Sequence, residues 1–188
     1  LNLSVWAPAA PGPPRPVVVW IHGGSFNTGT GSLYDPSTLV ERGDIVFVAI
    51  NYRLGALGFV NFHDALGGDE RAAANAGLLD QRAALAWVRD NIAAFGGDPA
   101  RVTGAGESAG SASCVLQLAS PGSRGLVHGA IAQSGALTLA ATRDDAARAA
   151  RQILDQLGIS RERPDELFMD TVKRLGVEPF KERVYATR

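Results

Sequence analysis

Short apolar runs alternate along this chain with Gly-rich polar stretches and with amphipathic segments of helical period. VVVWI at 17–21 and IVFVAI at 45–50 are continuous, β-branched and of strand length. Such runs suit strands covered on both faces of a parallel sheet. Upstream, LNLSVWA alternates in the manner of an edge strand, and PGPPRP at 11–16 reads as a turn or polyproline-like linker. Between the two apolar runs, HGGSFNTGTGSLYDPS is polar and Gly-rich and is predicted as loop. A short helix is predicted at 36–42, ended by Gly43.

From 77 to 95 the period becomes helical. Leu78, Leu85, Val88, Ile92 and Phe95 recur on one face, and Gly96-Gly97-Asp98-Pro99 closes the segment. RVTGAGE at 101–107 predicts a strand, a weak one because Gly104-Ala105 offers little side chain to pack. SAGSASCVLQLAS at 108–120 predicts a helix stopped by Pro121-Gly122, and GAIAQSG at 129–135 a further short strand. DDAARAARQILDQLG at 144–158 predicts an amphipathic helix with an acidic start and a glycine stop. Alternating strands and helices imply an α/β fold, a mainly parallel sheet with flanking helices, and no internal repeat.

Composition narrows the picture. A length of 188 residues with 46% apolar and 20% charged residues is that of a folded soluble domain with a sizeable core. Lysine and arginine number 18 against 19 aspartates and glutamates, a balance unlike that of a nucleic-acid or membrane-surface binder. Cys114 is the only cysteine, so no internal disulfide and no Cys-rich metal site is expected. No apolar run approaches the roughly 18 residues of a membrane span. The chain starts at Leu1 and its only methionine is Met169, so we expect a processed or partial chain.

The candidate chemistry sits in GESAG, a G-x-S-x-G pentapeptide centred on Ser108 between a predicted strand and a predicted helix. That setting is the one a nucleophile elbow requires: glycines permit the tight turn, and the serine lands at a helix N-terminus. His22-Gly23-Gly24 directly follows VVVWI. Glycines there let backbone N–H groups approach the oxygen on which charge builds during acyl transfer. A phosphate cradle is excluded, since no Lys-Ser/Thr pair follows these glycines.

HGGSF, NYRLGALGF, NAGLLDQRAALAWVRDNIAAFGGDP and GESAG, in that order, resemble the type-B carboxylesterase and cholinesterase family, from Leu1 to about residue 158. The resemblance implies the α/β-hydrolase fold and carboxylic-ester hydrolysis through an acyl-enzyme, with no metal and no organic cofactor. It implies Ser108 as nucleophile, Gly23, Gly24 and Ala109 as oxyanion-hole donors, and Glu107 as a glutamate tuning the site. It also implies Ser134 as a buried serine near that glutamate, and a buried ion pair between Arg53 and Asp80. The partner would be a small-molecule ester, with no nucleic acid and no membrane involved. In the family the acid and histidine follow far downstream of the serine, and a segment precedes the match to LNLSVWA. The expectation is therefore a fold truncated at both ends and lacking the triad acid and histidine. Residues 1–158 would form a partial α/β-hydrolase domain, and residues 159–188 a helical tail atypical of the family. The alternatives are a non-catalytic cholinesterase-like binding module or a non-functional fragment.

The remaining polar and aromatic residues read as scaffold. His22 is expected in a structural hydrogen bond, His63 exposed in a polar loop, and His128 packing or capping beside GAIAQSG. None holds the triad histidine's place in chain order. Trp20, Trp87 and Phe95 read as core, and Cys114 as a small buried apolar residue.

Overall fold

A computed structural model describes residues 1–68, 73–135, 141–156 and 158. The strands are β1 (Leu3–Trp6), β2 (Arg15–Ile21), β3 (Val46–Ile50), β4 (Gly97–Glu107) and β5 (Gly129–Gln133). The helices are α1 (Ser37–Gly43), α2 (Gly55–Phe59), α3 (Phe62–Ala65), α4 (Ala76–Asn91), α5 (Ala109–Ala119) and α6 (Arg143–Gln156). The sheet order is β1-β3-β2-β4-β5. β2 pairs in parallel with both β3 and β4, β4 pairs in parallel with β5, and β1 runs antiparallel along β3.

The burial of the strands follows from their position. All of β3 is buried, because α1 covers one face of the sheet and α4 and α5 the other. Val17, Val19 and Ile21 of β2 join Val46, Val48 and Ile50 of β3 in the larger cluster, with Leu85, Val88, Ile92 and Val102. The intervening Val18 and Trp20 face Val40, Phe47 and Ala49 on the opposite side. The strict alternation is the period-2 geometry of a strand.

Residues 1–59 and 75–135 form one compact unit, and residues 60–68, 73–74, 141–156 and 158 belong to a second. In the second, Asn61 caps α3 by accepting from the Asp64 N–H. Arg143 grips Asp64 with two hydrogen bonds of 2.6 Å. Thr142 Oγ1 accepts from the Asp145 N–H at the start of α6, whose Ala147, Ala150 and Leu154 are buried.

Several sequence expectations need correction. Arg15 and Pro16 belong to β2 rather than to a linker. Arg15 is buried because its guanidinium reaches Asp44 at 2.5 Å and the Ala10 carbonyl at 2.9 Å. β4 begins at Gly97, running through Asp98-Pro99, since pairing with β2 starts at Arg15 and Gly97. Its Gly104-Ala105 segment lies in an interior strand of the sheet, where Gly104 admits Cys114 of α5. The long helix ends at Asn91 and tightens to a 3₁₀ turn at Ile92–Phe95, closed by Gly96 at φ +77°. That tightening swings Phe95 outward, 43% exposed beside Trp87, instead of into the core. His63 lies in α3, half-buried, not in an exposed loop. α2 and α3 are too short, at 5 and 4 residues, to show a helical period in the sequence. The expected tail at 159–188 lies outside the described residues.

Candidate active site

β4 ends at Glu107 and α5 starts at Ala109, so the whole strand-to-helix reversal falls on Ser108. Its backbone takes φ +55° and ψ −119°, a conformation that non-glycine residues adopt only when their surroundings enforce it. The enforcement is visible on both sides. Ser108 N–H donates to the Gln133 carbonyl at 2.9 Å, and the Ser108 carbonyl accepts from the Ala112 N–H at 3.1 Å.

The turn is pressed against the end of β2, and glycines make that approach possible. A Cβ on Gly110 would lie 1.9 Å from the Ile21 carbonyl oxygen, and one on Gly106 2.7 Å from it. A Cβ on Gly23 would lie 2.6 Å from the Glu107 carbonyl oxygen and 3.2 Å from Ser108 Cβ. The loop after β2 therefore runs directly beside the serine. Gly24 stands at φ +111°, and its carbonyl accepts from the N–H groups of Asn27 and Thr28, closing a tight turn. Ser25 and Phe26 also take positive φ, at 53° and 60°. Phe26 is held by its ring against Phe59, 4.5 Å between centroids, and by its carbonyl accepting the Gly55 N–H at 2.7 Å.

Beneath this loop lies His22, 1% exposed. Its Nδ1 is 2.8 Å from the Gly23 carbonyl oxygen. A carbonyl only accepts, so Nδ1 carries the proton. The imidazole stacks on Tyr52 at 4.5 Å, and the Tyr52 hydroxyl donates to the His22 carbonyl at 2.7 Å. Burial pushes the Tyr52 phenol well above its ordinary range, so it stays a donor at any physiological pH. His128 is exposed just ahead of β5, where its Nδ1 accepts from the N–H of Val102, midway along β4, at 3.2 Å. Of the turn, loop and cap backbone hydrogen bonds among the described residues, none uses the N–H of Gly23, Gly24 or Ala109.

A Carboxylesterase-family model matches residues 1–184. The chain belongs to the carboxylesterase family. It is 47% identical over 169 residues to the para-nitrobenzyl esterase of Bacillus subtilis (strain 168), covering 89% of this chain and 34% of that one. With the cocaine esterase of Oryctolagus cuniculus it shares 51% identity over 136 residues, 71% of this chain and 25% of the relative. A thermophilic PNB esterase structure superposes with a TM-score of 0.83 at 45% identity, over 93% of this chain and 35% of that chain. A carboxylesterase of Geobacillus stearothermophilus, EST55, superposes at 0.79 with 42% identity, over 92% of this chain and 38% of that one. The fold is thus that of an α/β-hydrolase, and the chain spans about a third of the length of the first of these relatives.

In this carboxylesterase-family chain the remaining expected residues fall in different places. Arg53 and Asp80 meet: Nε and one terminal nitrogen each bond the carboxylate at 2.7 Å, and the Arg53 N–H adds a third bond at 3.0 Å. The pair is only half buried, with Asp80 at 4% and Arg53 at 52% side-chain exposure. Asp80 holds the Arg53 guanidinium above its ordinary pKa. Glu107 is exposed, and its carboxylate borders Gly23, whose Cβ would lie 3.1 Å from it. Ser134 follows β5 at φ +52° and is exposed, not buried, because β5 is an edge strand among the described residues. Among the described residues no group of three or more His, Cys, Asp or Glu could hold a metal ion, and no helix is long and apolar enough to cross a membrane.

The sequence reading assigns GESAG its turn glycines but gives no role to Tyr52 or Gly29. Gly29 sits on the His22 ring, where a Cβ would come 2.5 Å from Nδ1. Tyr52 was findable: it follows a parallel strand at its carboxyl end, where α/β folds build their sites.

Proposed function

We propose that Ser108 is the nucleophile of a carboxylic-ester hydrolase that works through an acyl-enzyme. The observation that carries this is the Ser108 backbone at φ +55° and ψ −119° on a bare strand-to-helix turn, with Gly23 against its Cβ. The hydroxyl attacks the ester carbonyl, the alcohol leaves, and water releases the acid. The N–H groups of Gly23, Gly24 and Ala109 stabilise the oxyanion, since they flank the serine and are free of turn, loop and cap backbone acceptors among the described residues. The Glu107 carboxylate, next to Gly23, adds negative potential at the mouth of this site.

The base and its orienting acid come from elsewhere in the family fold. His22 is buried under the loop with Nδ1 committed to the Gly23 carbonyl. His128 is bonded to Val102, roughly 15–20 Å along β4 from the serine at strand rise. The chain by itself is therefore expected to hydrolyse p-nitrophenyl acetate far more slowly than an intact esterase. An unassisted serine with an oxyanion hole retains about 10³–10⁴-fold over water in serine proteases. Treating the chain with a fluorophosphonate and mapping the adduct tests the assignment. Labelling at Ser108, abolished in Ser108→Ala, is the expected result; preferential labelling of another serine rejects it. Full turnover of tens per second by the chain alone would show that a local histidine serves as base.

A further inference from the structure

We infer that Tyr52 is a positioning residue for the oxyanion site: by holding the His22 carbonyl, its hydroxyl sets the orientation of the Gly23 N–H across the same peptide bond. This rests on the reading of Gly23, Gly24 and Ala109 as donors. A trans peptide is planar, so its N–H points opposite to its C=O. Each candidate donor therefore has its direction fixed by whatever holds the carbonyl across the same peptide bond.

For Ala109 that carbonyl is Ser108's, held by the Ala112 N–H at 3.1 Å. For Gly24 it is Gly23's, held by His22 Nδ1 at 2.8 Å. For Gly23 it is His22's, held by the Tyr52 hydroxyl at 2.7 Å. The first anchor is ordinary helix geometry, whereas the other two are side chains stacked on one another at 4.5 Å. Glycines leave the loop's own dihedrals free, so the orientation of these two planes depends on the side chains that hold their carbonyls. Tyr52 is buried at 5% exposure and braced edge-on by Phe59 at 6.3 Å, and its hydroxyl makes one hydrogen bond among the described residues, to His22.

The contact differs from mere packing because it is directional. Tyr52→Phe keeps the ring, its stacking on His22 and its contact with Phe59 while deleting only the donor. Removing an oxyanion donor outright costs about 10²–10³ in rate; loosening one is expected to cost roughly tenfold. The experiment compares the chain and its Tyr52→Phe variant by amide hydrogen exchange at Gly23, Gly24 and Ala109, and by the saturation kinetics of fluorophosphonate labelling. Exchange at Gly23 should quicken most and at Ala109 least, while the maximal labelling rate falls about tenfold with the half-saturating concentration unchanged. A folded variant with unchanged Gly23 exchange and unchanged labelling overturns the inference. Should Tyr52→Phe not fold, 3-fluorotyrosine at position 52 strengthens the same donor. A shift of the His22 carbonyl ¹³C resonance then supports the contact, and no shift overturns it. Absence of Ser108 labelling in the unaltered chain would reject the nucleophile reading alone, because the exchange arm still reports on Tyr52.

Discussion

Arg53 and Asp80 are joined by three hydrogen bonds, two from the guanidinium and one from the Arg53 backbone. The contact ties the segment after β3 to α4, and with it the base of the loop that carries Tyr52. Asp80 is the buried partner and Arg53 the half-exposed one.

That asymmetry predicts unequal mutants. Arg53→Ala strands a buried carboxylate, which costs about 3 kcal/mol, the lower end of the range for broken buried pairs, because solvent reaches the Arg53 side of the site. Asp80→Ala leaves a cation that turns to water, so about 2 kcal/mol is expected, chiefly from the orphaned Arg53 N–H. Urea unfolding of both singles and the double should give a coupling of about 1–3 kcal/mol. Additive effects would show that the two residues do not depend on one another.

Gly110→Ala is expected to be among the most damaging small substitutions, at about 3 kcal/mol or more. Its Cβ would stand 1.9 Å from the Ile21 carbonyl oxygen, an atom of the central strand that cannot swing aside. Gly43→Ala is the contrasting case, since its Cβ finds its nearest atom at 3.5 Å and the residue is helical. It should be neutral or stabilising by about 0.5–1 kcal/mol. Equal thermal midpoints for the two variants would contradict the tight seating of α5 on β2.

In the second unit, Asp64 is held below the usual carboxylate range, first by hydrogen bonds from Arg143 and then by Asn61. A depressed folded pKa means the unfolded chain takes up the proton first. The contribution is therefore complete above the ordinary carboxylate value of about 3.9 and is lost as pH falls below it. Amide exchange in the first turn of α6 should quicken as pH drops from about 4 to 2, after correction for intrinsic rates. In Arg143→Ala that extra acid sensitivity should vanish.

Cys114 lies against Gly104 at 1% exposure, and burial pushes its thiol up to about 12. Only the thiolate alkylates readily. Iodoacetamide at pH 8 should leave the folded chain unmodified over hours and label it promptly in denaturing urea. Rapid labelling without denaturant would mean that α5 separates from β4 far more often than this packing permits.

The sequence by itself determined what is decided within a few residues. VVVWI and IVFVAI declare buried strands, because continuous β-branched runs have nowhere else to hide. GESAG declares its turn, because the strand ahead and the helix behind leave one residue to reverse the chain. Arg53 and Asp80 were legible only through family resemblance, since nothing local links positions so far apart.

Tertiary structure decided the rest. Gly97-Asp98-Pro99 looks like a helix breaker and a loop, yet it lies in β4 because Arg15 offers it a partner strand. Arg15 looks like linker and is buried because Asp44 and the Ala10 carbonyl satisfy its charge and N–H groups. Phe95 fits the apolar helical face and still points outward, because the last turn narrows to three residues and rotates it away. Tyr52 reads as one more aromatic after a strand. Only the parallel alignment of β2 and β3, Ile21 beside Ile50, brings its hydroxyl to the carbonyl of His22. Strand pairing is set by hydrogen bonds between distant segments, so no window of sequence contains it.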